Sequence, residues 1–424
     1  MKTVINIISL VLMLISEPTV FAQNKGYDKA NMNLDVKPGD NFVEYACGNW
    51  LKTHPLRDDQ MSNGAFLDLY EQNQKQIQEM ILEFATKPQE KGTLGYKIGT
   101  LYNQMMDTLR RNEQGLKPIM PYIERIRAIK DRKEYQRVTA EIDRRGEATM
   151  MYAWGAGADL RDADNNIVSI SQSGLGLGNR DYYFNEDPQT QAVREAYKAY
   201  GKRMFAALGY DEAKASKLVE KVYAIEKRIA GASYDKVKLR DIDANYHKMS
   251  YDELVRDFPG IDWPTVFWVT GFPAFKQLVV EQPEQLHEVE KILADTPLDD
   301  LKAYAEVRII SGAASCLTQD LRRSYFTFAQ ALTGQLQDDP VWKRATALVN
   351  GVLGDAIGKM YCEKYFPESS KQRVLTMVHN LQTALGQRID ALDWMSNATK
   401  TEAKKKLADF HIKIGYPDKW KDYS

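Results

Sequence analysis

Val374-Leu375-Thr376-Met377-Val378-His379-Asn380-Leu381-Gln382-Thr383-Ala384-Leu385-Gly386-Gln387-Arg388-Ile389 carries its apolar residues in one rhythm. Val374, Met377, Val378, Leu381, Leu385 and Ile389 fall at i, i+3, i+4, i+7, i+11 and i+15, which is one stripe of an amphipathic helix and not the alternation of a strand. Pro367 sits near the start of that helix, and Ser396-Asn397-Ala398-Thr399 opens the next, with Thr399 and Glu402 at capping-box spacing. Similar stripes run through residues 66–84, 96–109, 122–145, 193–208, 213–230, 301–316 and 345–365. The fold class is mainly α.

Residues 148–173 depart from this pattern. Thr149, Met151, Tyr152, Trp154, Ile167, Val168 and Ile170 flank the turn-rich Asp162-Ala163-Asp164-Asn165-Asn166, which predicts a β-hairpin as a minor element in a helical body. There is no solenoid repeat and no low-complexity tract; residues 87–92 and 335–340 are the softest joints.

With 424 residues and 44% hydrophobic composition, the chain is long enough for two or three domains and a real core. Lys+Arg at 57 against Asp+Glu at 58 leaves a formal net charge of -1, so no long-range field gathers nucleic acid or an anionic membrane onto it. Lys2, the apolar run from Val4 to Ile15 and the small residues Val20 and Ala22 have the order of a secretory signal peptide cut after Ala22. The run is shorter than the roughly 20 residues that cross a bilayer. The expectation is an exported protein, periplasmic or extracellular, with no stable membrane span and a mature chain starting at Gln23. No cysteine follows the cleavage site, which argues against a lipoprotein.

Cys47, Cys316 and Cys362 are too few for a disulfide scaffold, and their odd number leaves one without a partner in the chain. Cys362 lies in an apparent helix, where a thiol serves as a small apolar core residue. A catalytic zinc ion needs three protein ligands held close together, and the chain has five scattered histidines: His54, His247, His287, His379 and His411. His287-Glu288-Val289-Glu290-Lys291 imitates H-E-x-x-H but puts an ammonium where the second imidazole belongs. Neither a metal ligand set nor a catalytic group is therefore assigned, and His287 reads as a solvated residue on a charged helix face.

Gly174-Leu175-Gly176-Leu177-Gly178 lacks the spacing of a dinucleotide loop and follows no βαβ pattern. Its glycines instead predict a tight turn or a close approach of the backbone to another element. Trp263, Phe267, Trp268, Phe272 and Phe275 read as core rather than as a ligand cage. No Ser/His/Asp or Cys/His order stands out.

An ordered set of blocks resembles the neprilysin and endothelin-converting-enzyme family of zinc peptidases, including the sparser-cysteine bacterial oligopeptidase O type. The blocks are Asn41-Phe42-Val43-Glu44-Tyr45-Ala46-Cys47-Gly48-Asn49-Trp50, Gly174-Leu175-Gly176-Leu177 with Arg180-Asp181-Tyr182-Tyr183, Tyr246-His247-Lys248-Met249-Ser250, Leu353-Gly354-Asp355-Ala356-Ile357-Gly358 and Lys413-Ile414-Gly415-Tyr416-Pro417. The resemblance implies a two-lobed helical peptidase enclosing a chamber, with zinc on a C-terminal lobe whose H-E-x-x-H helix lies beyond the last block. Residues 1–22 are then a signal peptide, 23–40 an N-terminal extension and 41–424 the lid region, the zinc domain being absent from this sequence.

Further expectations follow from that resemblance. The intact protein is an exported zinc metalloendopeptidase of oligopeptides, and this chain alone is inactive. Its partners are oligopeptide substrates and the C-terminal catalytic lobe. The family cysteine matching Cys47 is tied to the C-terminal portion. The stretch after Trp50 lines the substrate cleft, which assigns Ser62, Phe66, Leu67 and Tyr70 to it. Ser62 stands where the family has an arginine for the carboxylate of short substrates, and Tyr70 at a second basic position; a hydroxyl cannot replace a charge-assisted bidentate contact, so dipeptide release is not expected. The rivals are a peptide-binding or regulatory pseudo-peptidase and a secreted helical glycan-binding scaffold.

Overall fold

The Asn41–Trp50 block is built to hold the chain that precedes it. Asn41 caps the first helix, α1 (Phe42–Thr53), by accepting a hydrogen bond from the Glu44 N–H at 3.1 Å. Glu44 accepts from the Asn33 side chain at 2.8 Å, and the Asn49 side chain donates to the Met32 carbonyl at 2.6 Å. Gly48 leaves room for this pairing, since a Cβ there would stand 2.5 Å from the Glu44 carboxylate and displace it. These contacts belong to a computed structural model that describes residues 28–146 and 148–423. The expected signal peptide lies outside the described residues.

The chain forms two units that meet in sequence at Leu67 and Asp68. The first unit has little core: Met32 is its one buried hydrophobic residue among those described, while Phe42, Val43, Leu51, Leu56, Met61 and Phe66 are exposed.

The second unit takes in most of α2 (Ala65–Ala85) and everything after it. It continues through α3 (Leu94–Met106), α4 (Thr108–Gln114), α5 (Met120–Ala128) and α6 (Arg132–Arg144) to a hairpin of β1 (Tyr152–Asp159) and β2 (Asp162–Gln172). Then come α7 (Asp181–Phe184), α8 (Pro188–Ala207), α9 (Glu212–Ala232), β3 (His247–Ser250), α10 (Tyr251–Asp257), α11 (Trp263–Thr270), β4 (Gln277–Val280) and α12 (Pro283–Asp295). The last six helices are α13 (Leu298–Ala313), α14 (Gln319–Thr333), α15 (Val341–Val352), α16 (Gly354–Tyr365), α17 (Glu368–Ala391) and α18 (Asn397–Ala408). The body is mainly α, as the periodicity predicts.

The structure revises the sequence reading locally. The 122–145 stripe is two helices, because Asp131 accepts from the Glu134 N–H and starts α6 afresh. The 345–365 stripe likewise breaks at Leu353. The hairpin is present, but its turn is at Leu160-Arg161, and Asp162 to Asn166 belong to β2 with a register shift beside Asp159. It is also part of a larger sheet, ordered β1-β2-β4-β3, with β2 and β4 parallel. Strands of four residues, such as β3 and β4, are too short to leave a period. The capping box is at Ser250 and Glu253 rather than at Thr399 and Glu402; α18 is capped by Ser396, which accepts from the Thr399 N–H.

Two hydrophobic cores lie in this unit. The larger gathers residues from α5 to α14 and the sheet, with Trp263, Tyr304 and Phe205 fully enclosed. The smaller joins α2 and α3 to α15 and α16 through Ile81, Ile98, Tyr102, Val349 and Ile357. The stripe of α17 is not core-facing. Met377, Leu381 and Leu385 are exposed and Ile389 is the buried member.

Within the larger core, Glu226 of α9 is sealed from water. Its carboxylate accepts from the Tyr197 hydroxyl at 2.7 Å, the Tyr183 hydroxyl at 2.9 Å and the Gly176 N–H at 3.2 Å. The loop must come this close: a Cβ on Gly176 would stand 1.9 Å from the Tyr197 oxygen. Gly174 has φ +97°, and its carbonyl accepts from the Tyr304 hydroxyl at 2.9 Å. The expected close approach of these glycines is what the fold uses them for.

Burial pushes the Glu226 carboxyl up to about 7 against the pull of its hydroxyl donors and of Arg308. Between its unfolded value of 4.5 and about 7 the folded state holds a proton that the unfolded state has released. Stability therefore falls as pH rises through that window, by at most about 3 kcal/mol. We predict that the urea midpoint drops between about pH 5 and about pH 7.5, and that Glu226→Gln flattens the drop. An equal slope in the variant would refute the assignment. Gly176→Ala is expected to cost about 2 kcal/mol or more at any pH, through overpacking against Tyr197.

Candidate functional site

The candidate cleft residues sit where α2 begins. Ser62 is exposed in the loop before it, Phe66 is 90% exposed on its first turn, Leu67 is half-buried, and Tyr70 follows one turn after Phe66, 52% exposed. Large apolar side chains left open at a helix start are suited to contact a ligand. Ser62 brings no charge to this stretch, and the nearby Arg57 is turned to Asp59 at 2.9 Å. A carboxylate therefore has no charge-assisted anchor at position 62.

Cys47 marks a kink in α1, at φ -141° and ψ 15°, and its thiol donates to the Val43 carbonyl at 3.1 Å. Cys47, Cys316 and Cys362 are all free thiols. Cys362 is half-buried on α16 and not fully in the core; burial raises its thiol above the ordinary value.

The residues present do not fit zinc. Among the described residues no three His, Cys, Asp or Glu side chains come together as a metal site. His287 stacks on Phe258 at 4.4 Å and pairs with Glu290 at 3.0 Å, while Lys291 lies 3.8 Å from Glu288. His54 stacks on Trp50, and His247 bonds the Val280 carbonyl in the sheet.

A carboxyl raised by burial is a usual pointer to catalysis; Asp143 is one, and Glu226, fully enclosed, is the other that sequence reasoning missed. The signal was available: a glutamate between Val222, Ile225 and Ile229 on the buried face of α9 needs partners, and the tyrosine after Arg180-Asp181-Tyr182 is one of them. Full enclosure, however, leaves no route to a substrate. It is a structural group. The aromatic cluster is core through Trp263 and Phe267, with Phe272 and Phe275 packed on it, but Trp268 is 79% exposed.

Among the concave places on the described residues, two differ most in character. One, of about 290 Å³, lies beside the sheet under Leu239, Ile242 and Tyr246. The other, of about 710 Å³, is walled by α3, α4, Cys316 and Leu348 and carries Arg110 and Arg111. Among the described residues no helix is long and apolar enough to cross a membrane.

Comparison with known proteins places this architecture. The chain is similar to the endothelin-converting enzyme-like 1 of Mus musculus, 24% identical over 420 residues, covering 95% of this chain and 53% of that protein. It is similar to the endothelin-converting enzyme 1 of Mus musculus, 27% identical over 401 residues, covering 92% and 51%. Among solved structures, the Mycobacterium tuberculosis zinc metalloprotease Zmp1 in complex with inhibitor superposes with a TM-score of 0.88 at 32% identity, over 94% of this chain and 60% of that one. The chain thus spans about half the length of the curated relatives it matches. The model of peptidase family M13 matches residues 38–417, nearly the whole of the described fold, and the chain belongs to that family.

Proposed function

We propose that this chain supplies the peptide-enclosing, non-catalytic part of an exported zinc metalloendopeptidase that hydrolyses oligopeptides. The observation that carries the reading is a conjunction: the family match runs over residues 38–417, yet no metal site exists among the described residues. The zinc ligands and the general base then belong to a C-terminal catalytic lobe outside this sequence. The role of these residues is to wall the chamber and hold the peptide, with Phe66, Leu67 and Tyr70 as apolar contacts.

Exposed apolar surface supports the same reading. The first unit leaves Phe42, Leu51 and Phe66 open, and α17 leaves Met377, Leu381 and Leu385 open. Surfaces of this kind mark places where another body packs. Cys47 is the thiol we assign to a disulfide with that lobe, and Lys2 with the Val4 to Ile15 run supports export.

We predict that the chain purified alone holds no stoichiometric zinc by elemental analysis and cleaves no fluorogenic peptide. Co-expressed with the coding sequence that follows codon 424, it should become more soluble, lose the Cys47 reactivity seen with thiol reagents, and cleave peptides in a chelator-sensitive way. Tight one-to-one zinc in the lone chain would overturn the proposal, and peptide binding without cleavage in the co-expressed protein would favour the pseudo-peptidase. In the zinc-loaded enzyme, Ser62→Arg is expected to lower KM about tenfold for substrates ending in a free carboxylate and to leave amidated substrates unchanged. Equal effects on both would remove Ser62 from the cleft.

A further inference from the structure

The chain passes between the two cores of the second unit twice, at Asp107 and at residues 334–340. At the second crossing, Asp338 accepts from Arg322 of α14 at 2.8 Å and from Arg344 of α15 at 2.5 Å, so one carboxylate serves an arginine from each side. Among the described residues, no carboxylate is shared by two arginines at the first crossing. There the 710 Å³ cleft opens, with Gln104 of α3 on one wall, Arg110, Arg111 and Gln114 of α4 on another, and Cys316 beside them.

Arg111 is the informative residue. Its Nη1 reaches the carbonyls of Ser315 and Leu317 at 3.4 and 3.3 Å, both long bonds. Its Nε and Nη2 are enclosed and have no partner among the described residues. Those two nitrogens form the edge of the guanidinium that grips a carboxylate with two parallel bonds. Leaving buried donors unmade is costly, and a charged donor more so. The acid on the cleft wall, Asp107, is already engaged, since it caps α4 by accepting from the Arg110 N–H at 3.0 Å. Burial holds the Arg111 guanidinium below its ordinary pKa, with Cys316 and Asp107 only partly opposing this.

We propose that this cleft binds a carboxylate, with Arg111 turning its Nε–Nη2 edge onto it and Arg110, Gln104 and Gln114 supplying further donors. The weak anchoring of Nη1 leaves the side chain free to make that turn. The carboxylate is borne by a peptide C-terminus or by a small organic acid; both present the same two oxygens. Because the walls come from α3 on the smaller core and from α4, which is bonded to the chain after α13, an occupant touches both sides of the joint. Binding therefore stiffens the crossing and depends on how the two cores meet.

Cys316 at the wall is a built-in reporter. The alkylation rate of Cys316 by iodoacetamide is measured by peptide-level mass spectrometry, with Cys362 as an internal reference. The additions are N-acetyl-trialanine with a free carboxylate, the same peptide as its C-terminal amide, citrate and chloride. The acid peptide or citrate should slow Cys316 labelling about threefold at roughly twice its dissociation constant, while amide and chloride leave it unchanged. Protection by the acid peptide alone assigns a peptide terminus, and by citrate alone a small acid. Arg111→Gln should abolish protection. Should that variant fail to fold, Arg111→Lys keeps the charge but lacks the fork, and protection should weaken. The proposal is overturned if no acid protects, if amide protects as well as acid, or if either folded variant protects like the wild type.

Discussion

A carboxylate sealed inside a helical core has to find every hydrogen bond it needs within the protein, and the way Glu226 does so fixes much of this fold. Its three donors come from α7, α8 and the loop after β2. The same loop is held from the other side by Tyr304 of α13, and Arg308 one turn later bonds the Thr149 carbonyl just before the hairpin at 3.2 and 3.0 Å. The chain entering the hairpin and the chain leaving it are thus tied to one helix. With β2 positioned, β4 can join it in parallel, and β3 follows as the outer strand. Polar burial of this kind specifies one arrangement, because any shift of the loop leaves a donor or the carboxylate unpaired.

How much of this was legible depended on length. Helices of three turns or more announce themselves by repeated apolar positions, so α2, α8, α9, α13 and α17 could be read directly. The breaks at Asp131 and Leu353 could not, because a stripe continues in phase across a short interruption and says nothing of a cap. Four-residue strands such as β3 and β4 contain too few positions to show a period. The Gly174–Gly178 run did give its physics in advance, a close backbone approach, but not its partner. That partner was a glutamate fifty residues on, which three-dimensional folding alone brings near.

The α17 stripe shows a different limit. Periodicity told which face of the helix is apolar, and the face is there, but it did not tell what covers it. Met377, Leu381 and Leu385 stand exposed. The same holds for Phe66 and Tyr70: their side of α2 was identified through the family blocks, and the sequence carried no measure of exposure. The failure of His287-Glu288-Val289-Glu290-Lys291 to match H-E-x-x-H, by contrast, was legible outright, since ligand spacing on a helix is a local property and Lys291 breaks it. The cleft at Arg111 was invisible, because its walls come from α3, α4, α15 and the chain after α13.

Glu226 and Arg111 divide the buried charges of this chain into two kinds. Both are titratable groups with polar atoms removed from water, and both carry a pKa displaced by that removal. Glu226 has three hydrogen bonds within range and no space around it, which is the signature of a group that serves the fold. Arg111 has two long bonds, two donors unmade and a cleft of about 710 Å³ beside it. Displacement of pKa does not separate these cases; satisfaction and access do. A carboxylate placed beside a guanidinium satisfies its edge, as Asp338 does for both Nε and Nη2 of Arg322, whereas the Nε and Nη2 of Arg111 have no partner among the described residues. An unpaired edge enclosed beside a cleft is therefore better accounted for by what enters the cleft than by what surrounds it.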